Sequence, residues 1–185
     1  MFDYKDVFRQ YAADNGLDIS LSFDMPAGYE EAYGTFDQET ATVFINARML
    51  ENAPDSEKAF YLFHELRHAS QYLCPEEFSD AVVRSARYVI MYDGTCYRIT
   101  DGSYLECRLE GSEELFTDLY LGQPYEADAN RYAYEQTEKI FGGSRELREL
   151  YGSWMPKRTV PDETYRQVYD LIDKEIRKEH PGAGE

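Results

Sequence analysis

Basic side chains are in short supply. Lys and Arg number 19 against 36 Asp and Glu, a formal net charge of -17. Gripping nucleic acid directly is thereby excluded as the main role, because phosphate binding needs a basic footprint. Docking on anionic membranes is disfavoured for the same reason. Long apolar runs are missing too, and nothing approaches the ~20 residues that span a bilayer. The N-terminus, MFDYKDVFRQ, lacks a basic stretch followed by an apolar one, so no secretory signal and a cytoplasmic setting are expected. Cysteine is limited to Cys74, Cys96 and Cys107, and an odd count is not a secreted disulfide framework. Histidine is as sparse, with His64, His68 and His180 alone. Aromatics are plentiful instead: 17 Tyr and 10 Phe in 185 residues suffice for a folded core despite the charge.

No internal repeat or low-complexity linker interrupts the chain, so a single domain over 1–185 is expected. Residues 3–13 carry Val7, Phe8 and Tyr11 at helical spacing before Asn15-Gly16. Residues 17–23 alternate as a strand, and two more strands, 32–36 and 41–46, flank the polar turn Asp37-Gln38-Glu39-Thr40. Asp55 or Ser56 is expected to cap a helix over 57–73, with Ala59, Phe63, Leu66, Ser70 and Leu73 as its core stripe. Pro75 ends it, and a further helix is expected over 76–89. Asp101-Gly102 then centres a hairpin in which Thr100 faces Ser103 and Cys96 faces Cys107, as two thiols rather than a disulfide. Helices follow over 112–121, over 124–141 from Pro124, and over 162–179 with Tyr165, Val168, Tyr169, Ile172 and Ile176 in one stripe. The mixture is α+β, with residues 180–185 as a frayed tail.

Chemistry concentrates in the 57–73 helix, which reads His64-Glu65-Leu66-Arg67-His68. Two histidines one turn apart point the same way, so both imidazoles can bind one metal ion. Glu65 follows by about 100° of rotation and can lean over the open coordination position. A carboxylate there can take a proton from metal-bound water, as zinc hydrolases require. Two of only three histidines form this pattern, which makes it fairly specific. A third ligand must come from elsewhere, and His180 sits in a Pro-Gly tail with no rigid platform. Glu126 is a candidate. It opens a helix lined by Ala127, Ala129 and Ala133, and Asn130 shares its face at i,i+4, where it can orient a ligand. Spacing alone does not separate this from a solvated acid in a first helical turn.

The run from ATVFIN through FHELRHA to PYEADANRYA resembles the ImmA/IrrE-type metallopeptidases, over about residues 15–135. Ile45-Asn46, His64 to His68, and Glu126-Ala-Asp-Ala129-Asn130 occur in the order of that family. The resemblance implies a zincin-like, minimal gluzincin fold: a small twisted sheet, an active-site helix, and a second helix carrying the Glu ligand. It implies one zinc ion held by His64, His68 and Glu126, with Glu65 as general base and a specific intracellular protein as substrate. Two features depart from the family. Arg67 replaces the usual Gly and is expected to crowd that helix face, and the hairpin around 92–108 reads as an insertion, either near the cleft or as an extension of the sheet.

A peptidase needs a strand edge for extended substrate, and 41–46 is the candidate, with Val43, Phe44, Ile45 and Asn46 lining it together with Tyr125. An oxyanion donor is also expected, with Tyr125 and Tyr33 as candidates. Besides a protein or peptide substrate, no nucleic-acid or membrane partner is expected, and the oligomeric state stays open. Two other readings compete: a non-catalytic regulator of a phage or mobile element on the same frame, and an acidic mimic of nucleic acid. The first still predicts bound zinc; the second does not.

Overall fold

The computed structural model describes residues 2–100 and 103–179, so the Asp101-Gly102 turn and the 180–185 tail lie outside the described residues. Among those described are seven α-helices and six short strands in two three-stranded sheets, an α+β arrangement. The chain falls into two compact units, Met1–Phe78 with Asp128–Ser153, and Ser79–Ala127 with Trp154–Glu185. None of the described helices is long and apolar enough to cross a membrane.

In the first unit, α1 (Tyr4–Asp14) starts at Asp3, whose carboxylate accepts from the N–H groups of Lys5 and Asp6. Strands β1 (Ser20–Ser22), β2 (Gly34–Asp37) and β3 (Thr42–Ile45) form a sheet in the order β1-β3-β2. β2 and β3 are the two strands expected around the polar turn, with β2 at Gly34–Asp37 rather than 32–36, and they pair antiparallel. Their turn is fixed by Asp37 Oδ1, which accepts from the N–H groups of Glu39 and Thr40, and by Ala41 at a left-handed φ of 48°. β1 adds in parallel on the far side of β3, pairing Leu21 with Val43. β3 is therefore the central strand, not an edge. Both its hydrogen-bonding sides are taken and Val43 and Ile45 are fully buried, so 41–46 cannot receive a substrate strand.

The long helix α2 (Asp55–Leu73) packs against β2 and β3. Its N-cap is Pro54, without a side-chain cap bond, so neither Asp55 nor Ser56 has the expected role. The helix begins earlier than expected, and Asp55 and Glu57 fall in its first turn, where acids complement the positive end. Ala59, Phe63, Leu66 and Ser70 are buried as expected, whereas Leu73 at the last turn is 41% exposed. Burial extends beyond one stripe: Phe60, Leu62 and Ala69 are also in the core. Each fully buried leucine contributes about 2 kcal/mol. α1 packs on α2 through Tyr11, whose hydroxyl lies 2.6 Å from Ser70 Oγ.

Helix α3 (Asp80–Ser85) and strand β4 (Tyr88–Ile90) replace the single helix expected over 76–89. Ser79 takes an extended backbone and caps α3 through Val82 N–H, which breaks continuity with the 3-10 turn at Pro75–Glu77. Tyr88-Val89-Ile90 then pairs as an aromatic and β-branched strand. β5 (Thr95–Thr100) and β6 (Ser103–Arg108) are the expected hairpin, with Thr100 opposite Ser103 and Cys96 opposite Cys107. With β4 they form their own sheet, β4-β5-β6, so the hairpin does not extend the first one. α4 (Glu113–Leu121) is capped by Ser112 and ends at Gly122. α5 (Pro124–Phe141) has the expected limits. α6 (Arg145–Ser153), which periodicity did not mark, is started by Ser144 Oγ accepting from Leu147 N–H. α7 (Asp162–Glu179) buries the five residues of its expected stripe against β5 and β6.

Candidate metal centre

The helical turn between His64 and His68 puts their rings 4.5 Å apart, edge to face, with the two Nε2 atoms 3.0 Å from each other. α5 brings the third group. Ligand atoms of His64, His68 and Glu126 all lie within 4.8 Å of one another, so the three are close enough to hold one metal ion. His68 and Glu126 are buried and His64 is half-buried. The donor chemistry fits a small divalent cation. Bonds of about 2.0–2.1 Å at a tetrahedral angle put two nitrogens about 3.4 Å apart, a few tenths beyond the spacing here.

α2 and α5 are tied together beside these groups. Arg67 donates from Nε to Asp128 Oδ2 at 2.7 Å and from Nη2 to Oδ1 at 3.4 Å. Its guanidinium lies over the rings of Phe78 and Tyr132, 4.4 and 4.6 Å from their centroids. Arg67 is thus engaged by Asp128 and two aromatic rings. Asp128 also accepts from Arg131 Nη2 at 2.9 Å and from Gln71 Nε2 at 3.0 Å. Burial alone would raise the Asp128 pKa, but the Arg67 hydrogen bond and charge outweigh it and the carboxyl ends below its ordinary value. Gln71 in turn faces His68, with Oε1 2.8 Å from Nδ1.

Glu65 is buried at 5% exposure, and β2 makes the space for it. A methyl group at Gly34 would stand 2.7 Å from Glu65 Cγ and 3.0 Å from both its Oε1 and the carbonyl oxygen of Phe44. A larger residue there would force the Glu65 side chain to shift. Tyr92 lies in the electrostatic range of Glu126. Partial burial first, and the Glu126 carboxylate second, raise its pKa above the ordinary phenol value.

Asn46 is a staple: Nδ2 donates to the carbonyls of Glu30 and Ala32, and Oδ1 accepts from Met49 N–H. Val43, Phe44 and Ile45 lie in the central strand. Tyr33 stacks on Tyr61 with centroids 4.3 Å apart, and Tyr125 binds through its backbone N–H to Ser85 Oγ. Asn130 is buried on α5, 1% exposed. Sequence reasoning missed Gln71, Asp128 and Gly34. Gln71 carried a signal in its spacing, since it follows His68 at i+3 on the same helix face. No family model, curated protein or solved structure matches the chain.

Proposed function

We propose that this protein is a zinc-dependent peptidase of the zincin type, built on the plan of the ImmA/IrrE metallopeptidases. The observation that carries the reading is the convergence of His64, His68 and Glu126 within 4.8 Å. Two imidazoles and one carboxylate are the ligand set of catalytic zinc sites that keep a fourth position open. When bound, zinc supplies Lewis acidity for a carbonyl and lowers the pKa of water. Glu65 takes the proton from the attacking water and delivers it to the leaving amine. Gly34 leaves that carboxylate its room.

Extended substrate pairs with β2, the strand of this sheet beside Glu65. Asn46 N–H bonds to the Tyr33 carbonyl, which sets the alternation along β2 and turns the backbone groups of Gly34 and Phe36 to the outer side. A peptide added there would run past the ligand cluster by β-augmentation. The substrate we favour is an intracellular protein with a basic segment, complementary to the charge of -17.

The test is metal-dependent cleavage of a peptide mixture, read by mass spectrometry as new termini. Cleavage should stop on chelation and return with added zinc. One zinc per chain without any new terminus would instead favour the non-catalytic regulator, and no zinc at all would remove both readings. Gly34→Ala gives a finer check. Crowding Glu65 by a methyl should slow cleavage at least tenfold while zinc content stays at the wild-type level, measured on the same sample.

A further inference from the structure

We infer that Asp128, acting through the amide of Gln71, sets the tautomer of His68 and aims the lone pair of Nε2 into the ligand cluster; the inference rests on the metal-site reading above. An ionised carboxylate can only accept hydrogen bonds, and Asp128 accepts from Arg67, Arg131 and Gln71. The oxygen and nitrogen of an amide are alike in shape, but only the NH2 group can face a carboxylate. The contact of Nε2 with Asp128 Oδ2 at 3.0 Å therefore settles which way Gln71 points. Its Oε1 is left 2.8 Å from His68 Nδ1. An amide oxygen cannot donate, so the proton of that bond belongs to Nδ1. A neutral imidazole protonated at Nδ1 keeps its lone pair on Nε2. Nε2 is the atom that faces His64, 3.0 Å away.

The far end of this line is as fixed as the near end. Arg67 lies over the rings of both Phe78 and Tyr132, so the cation that anchors Asp128 has little freedom. Gln71 and Asp128 are both buried, and hydrogen bonds in such surroundings are stronger than in water. Asp128 also lies two residues beyond Glu126 on α5, so the same carboxylate that orients the His68 ring holds the helix that carries the third ligand. Gln71 and Asp128 are positioning residues: they act through His68 and touch no substrate.

The test uses the full chain. In the metal-free wild type, long-range proton–nitrogen spectra should show His68 protonated at Nδ1, and zinc competition against a chelator should give one tight site. Gln71→Leu keeps the size but removes both hydrogen bonds. It should shift His68 toward the Nε2–H form and weaken zinc about 10–100-fold. The double variant Gln71→Glu with Asp128→Asn exchanges donor and acceptor, returns an oxygen to Nδ1, and should restore the wild-type tautomer and most of the affinity. The inference is overturned by an Nε2–H tautomer in the wild type, or by undiminished zinc affinity in Gln71→Leu. A wild type that binds no zinc removes the metal reading alone, because the tautomer still decides whether Asp128 and Gln71 act as described. Should Gln71→Leu fail to fold, the wild-type spectrum and the double variant decide the matter.

Discussion

Glu65→Gln should leave a folded protein that binds zinc normally and cuts peptides about 10²–10⁴-fold more slowly, the range a single general acid–base group contributes. The two side chains have nearly the same shape, so the space opened by Gly34 is filled as before. Glu65 is 5% exposed, and a neutral amide is easier to bury than a carboxylate. Stability should therefore hold or rise, and lost activity cannot be blamed on unfolding. The measurement is the initial rate of appearance of new peptide termini at equal zinc loading. Unchanged rates would refute a mechanism in which Glu65 moves the proton. His64→Ala is the companion variant, and it should lose metal and cleavage together.

Glu126→Ala should release the metal. With one of three protein ligands removed, zinc affinity should fall by well more than the 10–100-fold typical of groups that merely support a ligand. Purified protein should go from about one zinc per chain to a small fraction of that, by elemental analysis after dialysis. Because Glu126 is buried, Glu126→Gln is the useful partner: it fills the same volume and still removes the charge. Full zinc occupancy in both variants would remove Glu126 from the ligand set, and loss of zinc in His64→Ala would then show whether the histidines still hold the ion.

How much of this was visible in the sequence follows from how local each feature is. His64 and His68 are one turn apart, so helical geometry alone pairs them. The Cys96–Cys107 register was also readable, because a two-residue turn fixes the whole ladder by counting outward. α7 was legible for the same reason: its stripe repeats within one element. Glu126 was different. It comes near the histidines through long-range bonding between α5 and α2, such as Asp128 to Arg67 and Gln71, and spacing could not separate it from an ordinary first-turn acid.

The misreadings share that cause. Alternation in β3 is the same whether one neighbour or two flank it, and the parallel pairing with β1 is a long-range event. Alternation therefore marks 41–46 as an edge when it is the central strand. Tyr88-Val89-Ile90 is too short to break a helical period by pattern alone, and only its pairing with β5 makes it a strand. Gln71 and Asp128 look like solvated polar residues until burial and mutual bonding are seen. In the sequence Arg67 reads as an obstruction because its counterion lies 61 positions away.

The facing thiols of the second sheet have a consequence of their own. Cys96 is fully buried, and burial pushes its pKa to about 12 and that of Cys107 to about 11. Neither can offer much thiolate at neutral pH, so alkylating reagents must wait for the hairpin to part from α7. Cys74 in the first unit is only half-buried and answers sooner. A single labelling time course thus acts as two clocks, one for each half of the molecule, with no added probe.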